Sequence, residues 1–168
     1  GYMDIDTLLG GLQRSDLVIL AARPSVGKST LALNIARNAA GQGSNVGIFS
    51  LEMSREQLVL RLLASEAGVD SHRLRLGIHS RADEERISDA IGALSDLAVY
   101  IDDSPLQNIV EVRSKARRLH MEQRVDLLVV DYMQLMQGPS NSESRQAEIS
   151  FISRSLKALA RELRIPVM

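Results

Sequence analysis

The chain has no cysteine in its 168 residues. That excludes a disulfide framework and any thiolate metal site, and it suits a reducing compartment. No apolar run approaches the ~20 residues that a membrane-spanning helix needs. The first residues also lack a basic stretch followed by an apolar core, so neither a membrane anchor nor a secretory leader is expected, and the reading is a cytoplasmic protein with no membrane partner. Excess charge is missing too: 20 Lys and Arg against 21 Asp and Glu leave a formal net charge of −1. A protein that grips nucleic acid over a broad face usually shows a basic surplus, so any such contact must come from a local patch. His72, His79 and His120 show no metal-ligand spacing and read as surface histidines.

What is present is an alternation. Short, almost unbroken apolar runs predict strands at residues 16–22, 45–51, 97–103, 125–131 and 165–168. Helical periodicity lies between them. Ser54 and Gln57 form a capping box ahead of a helix that ends near Gly68. Ile87, Ile91 and Leu94 mark a helix over residues 81–96, and Val112, Ala116 and Leu119 mark another over 108–123. Ile149, Ile152, Leu156 and Leu159 mark the last, over 146–163. Repeated β-α units predict one α/β domain with a mostly parallel central sheet, helices on both faces and a ligand site at the carboxyl ends of the strands. At 168 residues such a domain buries roughly 70% of its unfolded surface. The stretch "QGPSNSESRQ", residues 137–146, reads as an exposed loop.

The stretch "AARPSVGKST" follows the first predicted strand and opens the first predicted helix. Residues 22–29 fit the phosphate-loop pattern G-x-x-x-x-G-K-[ST], with Ala22 where the first glycine is usual. Ala22, Arg23, Pro24, Ser25, Val26, Gly27, Lys28, Ser29 and Thr30 are therefore the candidate nucleotide-binding residues. Gly27 lets the backbone pass close to a phosphate, and the free N–H groups of residues 25–30 point into one concavity at the positive end of the helix dipole. Lys28 adds a full charge for the outer phosphates, and the Ser29 hydroxyl can ligate Mg²⁺. The plain alternative is a glycine turn with an exposed lysine. The cofactors expected are ATP and Mg²⁺.

Hydrolysis requires a metal anchor and a group that positions water. "LLVVD" delivers Asp131 at a strand's carboxyl end, where a carboxylate would associate with Mg²⁺. In "FSLEMS", Glu52 lies just past the second strand at the same edge and is the candidate general base. Asp102 and Asp103 compete for that role, and a solvated acid at the head of the next helix is the bland reading of Glu52. The basic segment 113–124 could contact nucleic acid, but it carries apolar residues at helical spacing, so its charges are read as a solvated face in preference.

Together, "ARPSVGKST", "FSLEMS", "VYIDDSP", "EVRSKARRL", "DLLVVDYMQLM" and "EISFISRSLKALARELRIPV" resemble the ATPase domain of bacterial DnaB-type replicative helicases, which belong to the RecA-like motors. The resemblance runs from the first residue to the last. It implies Lys28 and Ser29 on the phosphates and Mg²⁺, Thr30 near the α-phosphate, Glu52 as base, Asp131 as the metal-associated acid, and Gln134 close to the γ-phosphate. It further implies a motor that unwinds duplex DNA by moving on single-stranded DNA, a homo-hexamer in the intact parent, and replication partners such as primase and a helicase loader. In that family a further domain and linker precede this region, and an arginine finger and much of the DNA-binding surface follow it. These 168 residues alone are thus expected to bind nucleotide but to have weak or no hydrolytic activity. The same resemblance puts the last strand between the first strand and the Asp131 strand, leaving the first as an edge. Arg145 could then face the ring's channel and track a phosphate backbone; plain solvent exposure is the competing reading. The alternative class is a RecA/RadA-like recombinase or a nucleotide-switched assembly ATPase. A metabolic P-loop kinase is less well supported, because no lid-like arginine cluster is evident.

Overall fold

The computed structural model describes residues 1–23, 25–104, 108–136 and 144–168. Pro24 and most of the 137–146 stretch lie outside the described residues. Three strands form a parallel sheet in the order β2-β1-β3, with β1 at Val46–Ser50, β2 at Val99–Asp102 and β3 at Leu127–Asp131. Val46 pairs with both Val99 and Leu127, and Ser50 pairs with Asp131, so β1 and β3 end flush.

Two further segments continue the ladder beyond β3. Val167 bridges Leu128 on one side and Leu17 on the other, both in parallel. The Val130 N–H donates to Met168 O and the Val18 N–H to Val167 O, each at 2.8 Å. The carboxyl-terminal segment therefore sits between the Leu17 segment and β3, as expected. The expected strand over 16–22 is much shorter, with ladder pairing confined to the neighbourhood of Leu17. Around that bridge the Val167 N–H donates to Asp16 O at 2.8 Å.

Helices cover both faces, and the period-2 pleat distributes the sheet between them. Val46, Ile48, Leu127 and Val129 turn to one side and pack with α2 (Lys28–Gly41) and α3 (Arg55–Ala67) through Leu33, Ala36, Leu58 and Leu62. Phe49 and Leu128 turn to the other and pack with α6 (Ile109–Gln123) and α7 (Arg145–Leu163) through Val112, Ala116, Ile152 and Leu156. Gly47 shares that second face. A β-carbon there would come within 2.9 Å of Leu119 and 3.1 Å of Leu128, so α6 approaches the central strand closely at this point. A third, smaller cluster joins Ala67, Val69 and Ala90 beneath α5 (Arg81–Ser95). No helix among the described residues is long and apolar enough to cross a membrane.

The helix starts carry their own explanation. Ser54 accepts from the Gln57 N–H and completes the predicted capping box. Asn108 and Ser144 cap α6 and α7 through the N–H groups of Glu111 and Ala147. Two short helices are not foreshadowed by periodicity: α1 (Met3–Leu9), which buries no residue, and α4 (Ser71–Arg75), a single turn capped by Asp70. A second capping box, Ser80 with Asp83, starts α5.

That box has a consequence in acid. The Asp83 carboxylate accepts from the Ser80 N–H and hydroxyl, both at 2.9 Å, and from Arg86. The Ser80 hydrogen bonds first, then Arg86, hold its carboxyl down at about 2, against an ordinary 3.8. A depressed carboxyl stabilises the fold above the unfolded-state value, and the contribution is lost as pH falls through the folded-state value. Stability should therefore fall as pH drops from about 3.8 towards 2, and Asp83→Asn should flatten that slope in urea unfolding measured across this window. An unchanged slope would remove Asp83 from the account.

The basic helix α6 is paired rather than free. Arg117 and Arg113 meet Glu162 of α7 at 2.9 and 3.3 Å, and Arg118 meets Glu122 at 2.9 Å. The hydrogen bond from Arg117, reinforced by Arg113, holds the Glu162 carboxyl below its ordinary value. Two of the three histidines correct the surface expectation: His79 and His120 are half-buried, and the His120 Nδ1 lies 2.9 Å from Val125 O.

Candidate functional site

Gly27 stands at the N-terminus of α2 with φ 105°, ψ 19°. Residues with a β-carbon rarely adopt that φ, although space at the position is open, so the glycine is required by backbone conformation and not by crowding. Ser25 also has positive φ, at 64°. Together the two turn the loop sharply enough to start a helix at Lys28. Unlike α3 to α7, α2 has no side-chain cap, and its first turn carries no acidic residue. The first N–H groups of a helix lack intrahelical partners, and here they meet solvent at the positive end of the dipole. The cap missing from the chain is the group an anion would supply.

The cleft in front of α2 has a volume of about 780 Å³. Into it come Lys28, Ser29 and Thr30 from α2, Glu52 from beyond β1, and Asp131 and Gln134 from the end of β3. Of the loop residues expected to bind nucleotide, Ala22, Arg23, Ser25 and Gly27 line the cleft, while Val26 is 70% exposed and is not among the lining residues. The parallel sheet explains the gathering of the rest. Ser50 pairs with Asp131, and the Leu51 N–H donates to Asp131 O at 2.8 Å, so both strands end at one level. The Ser50 hydroxyl, buried, donates to Met53 O at 2.7 Å and accepts from the Met53 N–H at 3.2 Å. This small loop fixes the turn that presents Glu52.

Asp131 is buried, and its Oδ1 lies 3.2 Å from the Lys28 Nζ. The Lys28 Nζ also lies 3.8 Å from the centre of the Tyr132 ring. The Asp131–Tyr132 peptide bond is cis. Glu52 is exposed and makes no hydrogen bond or ion pair among the described residues. Its two competitors are engaged. Burial pushes Asp102 up, but hydrogen bonds from Ser104 and from Lys115 outweigh it and hold the carboxyl below its ordinary value; the Lys115 Nζ is 2.9 Å away. Asp103 accepts from the Arg55 N–H at 2.8 Å and caps the start of α3.

No group of three or more His, Asp or Glu side chains that could hold a metal occurs among the described residues. A magnesium ion carried by a nucleotide would need only one or two protein oxygens, the rest of its shell coming from phosphates and water. The Ser29 hydroxyl on the first turn of α2 and the Asp131 carboxylate fit that modest demand. Arg145, read as a channel residue or a solvated one, is exposed; it pairs with Glu148 and donates to the backbone carbonyl of Gln134. Sequence reasoning missed Tyr132 and Arg61, which both line the cleft. For Tyr132 the signal was its place directly after Asp131. For Arg61, on the exposed side of α3, no local signal existed.

A family model described as the DnaB-like helicase C terminal domain matches residues 1–168. The chain is 50% identical over 170 residues to the replicative DNA helicase DnaB of Geobacillus stearothermophilus, covering 100% of this chain and 37% of that protein. It is 46% identical to the replicative DNA helicase DnaC of Bacillus subtilis, with the same two coverages. Against the DnaB of a Synechocystis strain it is 51% identical, over 99% of this chain and 19% of that one. The chain thus spans little more than a third of the first two relatives. Two solved structures superpose with a TM-score of 0.92 at 32% identity. One is a DnaB-like replicative helicase described with its interactions with primase, of which 41% is covered; the other is the ATPase domain of a further protein, of which 60% is covered. The fold is RecA-like α/β, and the chain belongs to the family of DnaB-like helicase C-terminal domains.

Proposed function

We propose that the chain is the ATP-binding and ATP-hydrolysing motor domain of a ring-shaped replicative DNA helicase, which unwinds duplex DNA by translocating on single-stranded DNA. The observation that carries this reading is one cleft that joins an uncapped helix start bearing Lys28 and Ser29 to Asp131 and Glu52 at the ends of adjacent parallel strands. The backbone N–H groups at the start of α2 bind phosphate oxygens, with Lys28 on the outer phosphates and Thr30 towards the α-phosphate. Ser29 and Asp131 would hold Mg²⁺, which would supply positive charge against the phosphates. Glu52 orients the attacking water and accepts its proton. Gln134, exposed at the mouth of the cleft, contacts the γ-phosphate end.

The partners that accompany this reading are single-stranded DNA, five further copies of the parent protein in a hexameric ring, primase and a helicase loader, in the cytoplasm. The recombinase or assembly-switch alternative draws no support from the relatives, which carry the name of replicative helicases. Calorimetric titration of the chain with ADP, with and without Mg²⁺, tests the site. Saturable one-to-one binding that Mg²⁺ strengthens is expected. Absence of binding under both conditions would sink the reading.

A further inference from the structure

We propose that Tyr132 is a positioning residue for the phosphate-binding lysine: its ring face is a platform that holds the Lys28 ammonium beside Asp131, at the mouth of the α2 cradle. The inference rests on the nucleotide reading of the cleft and adds a residue to it. The Nζ of Lys28 sits 3.8 Å from the ring centre, well inside the ~6 Å within which a cation is attracted to an aromatic face. The Asp131 Oδ1 holds the same nitrogen from another side at 3.2 Å. The lysine side chain is 23% exposed and the aspartate side chain 10%, so the cluster is largely withdrawn from water, where a cation–π contact is strongest.

The backbone keeps the platform in place. Tyr132 is extended, with φ −133° and ψ 152°, between the last residue of β3 and the one-turn helix Met133–Leu135. The Leu135 N–H donates to Tyr132 O at 3.1 Å, and the turn is tied into the core by Met136, which is fully buried. Tyr132 itself belongs to none of the three core clusters. Its hydroxyl makes no hydrogen bond among the described residues. What the residue contributes at this place is therefore the ring face.

A lysine needs such help. Its charge is compact and rides on a flexible four-carbon stem with no rigid fork to orient it, so a free Lys28 would lose much rotamer freedom on meeting a phosphate. A ring that already confines the ammonium lowers that loss. Asp131 cannot do this alone, because in the nucleotide complex its carboxylate serves the metal.

The test has two readouts. In the nucleotide-free chain, protons on the Lys28 ε-carbon should show an upfield ring-current shift in NMR spectra, retained in Tyr132→Phe and lost in Tyr132→Leu. In calorimetry with Mg-ADP, Tyr132→Leu should weaken binding about 3- to 10-fold while Tyr132→Phe stays within about two-fold of the unaltered chain. Tyr132→Met repeats the measurement with a flexible side chain should the leucine variant fold poorly, as spectral dispersion would reveal. Unchanged affinity in the leucine and methionine variants overturns the proposal, and so does a phenylalanine variant as weak as either. Failure of the nucleotide reading looks different: the unaltered chain would not bind Mg-ADP at all, and both inferences would fall.

Discussion

A Glu52→Gln variant of the intact parent protein is expected to bind ATP with near-normal affinity and to hydrolyse it about 10²- to 10⁴-fold more slowly. The amide keeps the shape of the carboxylate and its capacity to accept a hydrogen bond, but it cannot take the proton of the attacking water. The structure favours this residue over its neighbours by what each is already doing. Asp102 is held by Lys115 and Ser104, and Asp103 by the Arg55 N–H. Glu52 faces the cleft with no such engagement, on a turn fixed by the buried Ser50 hydroxyl. Phosphate release in single-turnover and steady-state assays measures the effect, with nucleotide affinity as the control. Full turnover in the variant would move the base elsewhere, and Asp103→Asn would be the next substitution to assay.

Lys28→Ala should raise the dissociation constant for Mg-nucleotide by roughly 10- to 100-fold, the equivalent of losing a charge-assisted hydrogen bond worth roughly 1.5–3 kcal/mol. The substitution has a second effect that must be separated from the first. Lys28 partners the buried Asp131 carboxylate in the nucleotide-free chain, so its removal leaves that charge uncompensated and should also lower thermal stability. Lys28→Met preserves the stem while deleting the charge, and it should match the alanine variant in calorimetry. Binding that survives both substitutions unchanged would count against the phosphate role.

The two predictions differ in how far the sequence alone can support them. The "GKS" run states its chemistry locally: a glycine, a cation and a hydroxyl at the start of a helix point to an anion whatever surrounds them. In the sequence, Glu52 stands ahead of Asp102 and Asp103 because it follows the strand after the phosphate-loop helix and is the only acid in an apolar and small stretch, and the resemblance implies the same residue. The stronger reason, that both rivals are occupied, is visible only when Lys115 and Arg55 are in place around them.

Local patterning likewise reveals the long helices, because a 3.6-residue period and an N-cap are properties of neighbouring residues, and α3, α5, α6 and α7 all carry both. It does not find α1, which buries nothing and so has no apolar stripe to read, or α4, which is one capped turn. The first predicted strand is over-long for a related reason. An apolar run states that a segment suits a sheet, but which of its residues pair is decided by another segment, and the bridge formed here is Leu17 with Val167.

By itself, then, the sequence determined the α/β class, the candidate anion cradle at Gly27, Lys28 and Ser29, and the acids at two strand ends, since each follows from residues close together in the chain. Tertiary structure alone decided which charges were already engaged. Arg117 meets Glu162 across 45 positions, and Lys28 meets Asp131 and the Tyr132 ring across more than a hundred. Such pairings depend on strand order and register, which bring the ends of β1 and β3 to one level before the cleft, and no periodicity within a segment encodes the neighbour that another segment will supply.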